Sequence, residues 1–174
     1  MRFIIVSMIV IAAAVAGGIQ VPVGFSAHFT QKITSPKKKV IKYSGTILLN
    51  SSGALKWSYK KPTRKEVCSD AKHFTIVDHD LEQVSFHELR QALSLTSILK
   101  KARHHKDNLY VATYQNVLYT FALDKKGQIS QIAYKDTLDN VVNVHFQHMR
   151  YRSKPNLKRT MQCPYPQSYD IIRG

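Results

Sequence analysis

Glycine, cysteine and acidic residues are scarce in this chain: its 174 residues include seven glycines, two cysteines and 11 Asp plus Glu. So few glycines leave little material for the backbone loops that cradle nucleotide phosphates, and no phosphate-binding glycine motif is present. There is no C-x-x-C pair, so a thioredoxin-like redox function has no motif to rest on. G-x-S-x-G and H-E-x-x-H are also missing, and no nucleophile and base stand out for an enzyme. The longest apolar run, Phe3 to Ala16, is shorter than the roughly 20 residues that cross a bilayer.

That run has its own meaning. Met1-Arg2 supplies a charged start, and Ala14-Val15-Ala16 supplies the small-x-small pattern of a peptidase site. Residues 1–16 read as a cleaved secretory signal, with an uncleaved anchor as the alternative, leaving residues 17–174 as one domain with a real core. Cleavage would remove one of the 26 basic residues, leaving a surplus of fourteen positive charges over the acidic ones. A surplus of that size attracts anionic surfaces. Export makes nucleic acid the least useful of these, and the clusters "SPKKKVIK" and "KKARHHK" lack the interleaved aromatics of a nucleic-acid module.

Eight histidines invite a metal site, with Asp78-His79-Asp80 and His145/His148 as the best candidates. Asp78-His79-Asp80 reads as a turn, and the odd spacing of His145 and His148 would set them on opposite faces of a strand. No metal and no cofactor is therefore expected. In an oxidising compartment Cys68 and Cys163 can pair, closing a loop that the chain-entropy model credits with about 4.5 kcal/mol; they can equally stand as two free thiols.

From Val40 onward the dominant period is two. "ALKWSYKKP" places Leu55, Trp57 and Tyr59 on one face and Lys56, Ser58 and Lys60 on the other. "KEVCS", "HFTIVD", "LEQVSFH", "NLYVATYQN", "VLYTFALD", "QISQIAYKD" and "VVNVHFQHMRY" continue as strands. Residues 88–101, "ELRQALSLTSILKK", predict a helix with Leu89, Ala92, Leu93, Leu95, Ile98 and Leu99 on its apolar face. In "GFSAHFTQ", Phe25 and Phe29 are four apart, which predicts a short first helix. The expected fold is mainly β with some α: a curved antiparallel sheet forming an unclosed β-barrel, covered by short helices as a lid.

"FSAHFTQKI", "SGTILLNSSGALKWSYKKP" and "VCSDAKHFTIVDHDLEQVSF", in that order after a signal peptide, resemble the periplasmic outer-membrane lipoprotein carriers, the LolA-like proteins. The matching runs cover roughly residues 24 to 86. The resemblance implies a periplasmic chaperone, not an enzyme, that holds the acyl chains of lipoproteins in an apolar cavity. It would take them from an inner-membrane ABC-type lipoprotein-releasing complex to the outer membrane. Acylated lipoproteins are then the cargo, and a receptor or an anionic membrane surface is the delivery end; a monomer is expected.

Carried onto this sequence, the lipid-binding face comprises Phe25 and Phe29, Ile47, Leu49, Leu55, Trp57 and Tyr59, then Phe74, Ile76, Val84 and Phe86. Leu93, Leu95, Ile98 and Leu99 would line the lid. Where the family carries an inward arginine followed by proline, this chain has Ser51-Ser52, and a serine cannot supply a guanidinium's five donors. The rival reading is a periplasmic open-barrel domain that binds lipid or lipoprotein as a signal. A receptor lipoprotein of the same pathway would need a cysteine at its mature start, and none lies there.

Overall fold

Alternating burial governs most of the chain. The computed structural model describes residues 19–50, 53–70, 73–88, 95–152 and 161–173. Among the described residues are twelve strands: β1 (Gly24–Thr34), β2 (Val40–Leu49), β3 (Leu55–Lys61), β4 (Lys65–Ser69), β5 (His73–Asp78), β6 (Gln83–Glu88), β7 (Arg103–Lys106), β8 (Leu109–Tyr114), β9 (Val117–Leu123), β10 (Ile129–Lys135), β11 (Val141–Arg152) and β12 (Asp170–Arg173). Helix α1 (Leu95–Lys101) lies between β6 and β7. All the strands form one sheet, in the order β12-β6-β5-β4-β3-β2-β1-β11-β10-β9-β8-β7. Its ends do not meet, so the expected unclosed sheet is present. A sheet this wide rarely stays flat.

Turn chemistry sets the register. Gln115 and Asn116, at φ 49° and 60°, make the two-residue link between Tyr114 and Val117, the left-handed pair that a tight hairpin requires. The Asp136 Oδ1 accepts the N–H groups of Leu138 and Asn140 at 2.9 Å each, holding the bend before β11. At one margin of the sheet, β7 is the fully exposed R-H-H-K, and charge on an edge strand discourages pairing with other chains.

Two expectations need correction. "GFSAHFTQ" is not helical: it opens β1, which pairs with β2 on one side and β11 on the other. A spacing of four keeps Phe25 and Phe29 on one face in either a helix or a strand. The intervening Ala27 and the following Gln31 are also buried, while His28 and Thr30 are exposed, so the period is two. Secondly, Glu88, expected near the start of the helix, ends β6, and α1 is described over Leu95–Lys101; Leu89, Ala92 and Leu93 lie outside the described residues. The sheet is antiparallel as expected except at one edge, where β12 runs parallel to β6, pairing Asp170 with Gln83 and Ile171 with Val84. No helix among the described residues is long and apolar enough to cross a membrane.

Candidate functional site

The inner face can be read across the ladder pairings, because directly paired residues project to the same side. One row joins Phe25, Leu49, Leu55, Ser69 and Phe74; the next joins Ala27, Ile47, Trp57, Val67 and Ile76. A third passes from Phe29 through Gly45 to Tyr59. Seven of the sequence-derived site residues on β1, β2 and β3, namely Phe25, Phe29, Ile47, Leu49, Leu55, Trp57 and Tyr59, belong to one apolar cluster. Phe74 and Ile76 extend the same face onto β5.

Gly45 makes the centre of this face possible. A β-carbon there would collide with the Ser58 carbonyl and stand 2.9 Å from the Phe29 ring. Without it, the Phe29 ring lies 5.0 Å from Trp57 and 5.2 Å from Tyr59, edge to face in both cases. Tyr43 meets Tyr59 at 5.6 Å. Such geometry aligns ring edges with ring faces and stabilises the nest beyond simple burial.

Coverage thins across the sheet. Phe25, Phe29 and Ile47 are 0%, 2% and 1% exposed, as are Ile98 and Leu99 of α1 at 1% each. Leu55, Trp57, Tyr59, Val67, Phe74 and Ile76 are half-buried. Helix α1, with Leu95 half-buried against the cluster, packs toward β8. The inner face of β3 to β5 is thus an apolar surface only partly covered. Beyond it on the Tyr59 row stand Lys65 and Asp78, an ion pair at 2.9 Å. Burial opposes the Asp78 charge, but Lys65 and the N–H groups of Leu81 and Asp80 outweigh it and hold the carboxyl below its usual range. Burial, reinforced by neighbouring Tyr119 and Asp136, pushes the Tyr134 hydroxyl up to about 12. Tyr59 is raised further, again chiefly by burial, with Tyr134 and Tyr43 adding to it.

Val84 and Phe86 are not on this face, which corrects the expectation for both. The β5–β6 hairpin pairs Phe74 with His87, Ile76 with Ser85 and Val77 with Val84. Even positions of β5 therefore share a side with odd positions of β6. Val84 joins Val77, Cys68 and Cys163 in a separate outer cluster, and Phe86 lines an outer groove of about 570 Å³ with Met161 and Tyr165. Cys68 and Cys163 form a disulfide. Ser51 and Ser52 lie outside the described residues.

Sequence reasoning missed two features. The β1–β11 register shifts between Ser26 and His28, and His148 adopts φ 52°. This bulge overrides the odd-spacing argument: His145 and His148 are both exposed, and His148 meets His28 on the outer face at 5.5 Å. The other is Gln31, a buried polar residue on the apolar side of β1, whose signal in the sequence was its parity with Phe25 and Phe29.

An open, mainly-β sheet with an apolar inner face that is only partly covered is a surface able to shelter apolar material. Comparison with known proteins names the kind. The family described as outer membrane lipoprotein carrier protein LolA matches residues 23–135. The outer-membrane lipoprotein carrier protein of Campylobacter jejuni subsp. jejuni is 38% identical over 149 residues, covering 86% of each chain. That of Wolinella succinogenes is 28% identical over 150 residues, again covering 86% of each. Among solved structures, an uncharacterized conserved protein from Thermus thermophilus shares the fold with a TM-score of 0.53 at 9% identity, covering 87% of this chain and 90% of that one. The chain belongs to the LolA family of outer-membrane lipoprotein carrier proteins.

Proposed function

We propose that this protein is a periplasmic chaperone that shelters the acyl chains of lipoproteins against its inner face and carries them from the inner to the outer membrane. Membership of the family supports the carrier reading. The observation that carries it to particular residues is the half-covered apolar surface of Leu55, Trp57, Tyr59, Phe74 and Ile76, continuous with the buried Phe25, Phe29, Ile47 and Leu49. Ile98 and Leu99 of α1 belong to the same cluster, and Leu95 packs against it. Each methylene taken from water is worth about 0.8 kcal/mol, so a single fatty chain of about 14 methylenes costs on the order of 11 kcal/mol to carry exposed. A carrier must offset most of that while still releasing its cargo. The chain acts by binding rather than by catalysis.

Residues 1–16 direct export and are removed, and the remaining domain works as a monomer. It collects cargo from an ABC-type lipoprotein-releasing complex at the inner membrane. Delivery is to a receptor or directly to an anionic membrane. Supporting the latter, the outer face carries Lys32 directly opposite Lys42, and a groove of about 610 Å³ includes His28, His148, Arg150 and Lys56. Like charges facing one another across strands destabilise a sheet, and an anionic surface relieves that repulsion.

The test is native mass spectrometry of protein purified from the periplasm of cells overproducing a lipoprotein. Acylated peptide should co-purify. Recovery of empty protein alone contradicts the proposal.

A further inference from the structure

Exposed apolar side chains gather at one end of the sheet. The links 35–39 and 136–140 close the β1–β2 and β10–β11 hairpins side by side, because Thr34 of β1 pairs with Val40 of β2 and with Val141 of β11. Leu138, in the second link, is 75% exposed, and Val40, Ile41 and Val141 are between 40% and 49% exposed. Val40, Thr34 and Val141 make one continuous row on the outer side, while Ile41 pairs with Ile33 on the inner side. Strand β3 joins β2 only from Ser44 onward, so residues 40–43 extend beyond the β2–β3 ladder.

Both links are tightly built. The Ser35 N–H donates to the Lys39 carbonyl at 2.9 Å and the Lys38 N–H to the Ser35 carbonyl at 2.8 Å. Asp136 and Asp139 repeat the pattern, donating to the Asn140 and Asp136 carbonyls at 3.0 and 3.1 Å. Backbone groups paired within a turn ask less of water. Around the two tips Lys32, Lys37, Lys38, Lys39, Lys42 and Lys135 are exposed. The carboxylates there are Asp136, engaged by Leu138 and Asn140 of its own turn, and Asp139, paired with Lys135 at 3.5 Å. Six lysines against two aspartates leave the tips strongly positive. An apolar cap with a cationic rim complements a surface that is anionic outside and apolar just beneath, which is the chemistry of an anionic bilayer.

Resting on the carrier reading above, we propose that the paired β1–β2 and β10–β11 tips are a membrane-docking element. Leu138, Val40, Ile41 and Val141 enter the headgroup region of an anionic bilayer, and the surrounding lysines meet its phosphates. Ile41 connects this element to the inner face. Ile33 beside it, and Tyr43 two residues further along β2, both pack against the cluster that contains Phe29. An acyl chain leaving that cluster past Tyr43 and Ile41 reaches the bilayer without crossing open water.

The test uses the full exported chain and protein-free vesicles of phosphatidylcholine, alone or mixed with phosphatidylglycerol. The parent should partition onto the mixed vesicles at least about ten-fold more strongly than onto phosphatidylcholine. Leu138→Asn should weaken that partitioning at least about five-fold. Lys37→Gln, Lys38→Gln and Lys39→Gln together should erase the preference for phosphatidylglycerol. Ile172→Asn, at an exposed residue of β12 on the far margin of the sheet, should change partitioning less than about two-fold. Brominated acyl chains should quench the indole introduced by Leu138→Trp and not that introduced by Ile172→Trp, each read against the parent's single tryptophan, Trp57. A parent that ignores protein-free vesicles, as it would if the tips docked on a protein receptor, overturns the inference. So does unchanged partitioning of Leu138→Asn, or an equal loss in Ile172→Asn. If Leu138→Asn fails to fold, the lysine variant and the quenching pair still decide. Binding of a diacylglyceryl lipopeptide without vesicles tests the carrier reading separately: Leu138→Asn should keep the parent's affinity within about two-fold, and a parent that docks on vesicles but binds no lipopeptide overturns the carrier reading rather than the tip.

Discussion

Breaking the Cys68–Cys163 disulfide should cost this protein a large part of its stability while sparing its inner face. The two cysteines are 95 residues apart in sequence. The entropy of closing such a loop in the unfolded chain corresponds to about 4.5 kcal/mol. Domains of this size are commonly stable by only about 5–15 kcal/mol, so the cross-link accounts for a third or more of the total. Its position explains what else is lost. Cys163 anchors the segment that leads to β12, and the Lys56 ammonium also donates to the Gln162 carbonyl at 2.8 Å beside it. The sulfurs pack with Val77 and Val84 on the outer side, apart from the cluster that contains Phe25 and Trp57. The assay is urea denaturation of the parent and of the double variant Cys68→Ala with Cys163→Ala, followed by Trp57 fluorescence. A fall of about 3–5 kcal/mol in unfolding free energy is expected, with lipopeptide affinity in the absence of urea changed less than about three-fold. A loss below about 1 kcal/mol would refute the loop-closure reasoning. A collapse of affinity in the still-folded variant would refute the separation of the two clusters.

Phe29→Ala should destabilise the unliganded protein by about 3–5 kcal/mol, because the ring is buried and touches both Trp57 and Tyr59; a chemical melt showing less than about 1 kcal/mol contradicts that packing. Stability should fall as pH rises above 10. Burial raises the folded pKa of Tyr59, and that of Tyr134 to about 12, above the unfolded value of 10.0. The unfolded chain therefore releases protons first, and stability fully present below pH 10 is lost through the folded values at up to about 1.4 kcal/mol per pH unit for each tyrosine. Melts across that range, with tyrosinate absorbance alongside, check the sign: stability that is flat or rising above pH 10 contradicts it. Replacing Lys32 and Lys42 by Glu should weaken association with anionic liposomes by at least about ten-fold at low salt and flatten its salt dependence; co-sedimentation insensitive to both changes removes the membrane-contact reading.

The alternation of Leu55, Trp57 and Tyr59 was open in the sequence, and so was the succession of strands around it, because a half-buried strand writes its two faces at alternate positions. The order of "FSAHFTQKI", "SGTILLN" and "ALKWSYKKP" likewise carried the family resemblance. Positions whose face depends on a turn were less legible. The link from Asp78 to Gln83 has a length that places Val84 and Phe86 opposite to Phe74 and Ile76, and one residue more or fewer would have reversed them. The same holds at His148, where a single extra residue in β11 re-aims the ring toward His28.

The chain's own pattern determined a mainly-β domain with an apolar stripe on successive strands, a strong positive charge and two cysteines able to pair. Periodicity is local, and each strand carries it whether or not the others are present. Tertiary structure decided that Phe25 and Phe29 belong to a central strand, that Cys68 meets Cys163, and that the Gln31 Oε1 and Trp57 Nε1 are buried without hydrogen-bond partners. Those outcomes depend on which distant segments come together, since register, disulfide geometry and the satisfaction of a buried polar atom are properties of pairs that no single stretch of sequence contains.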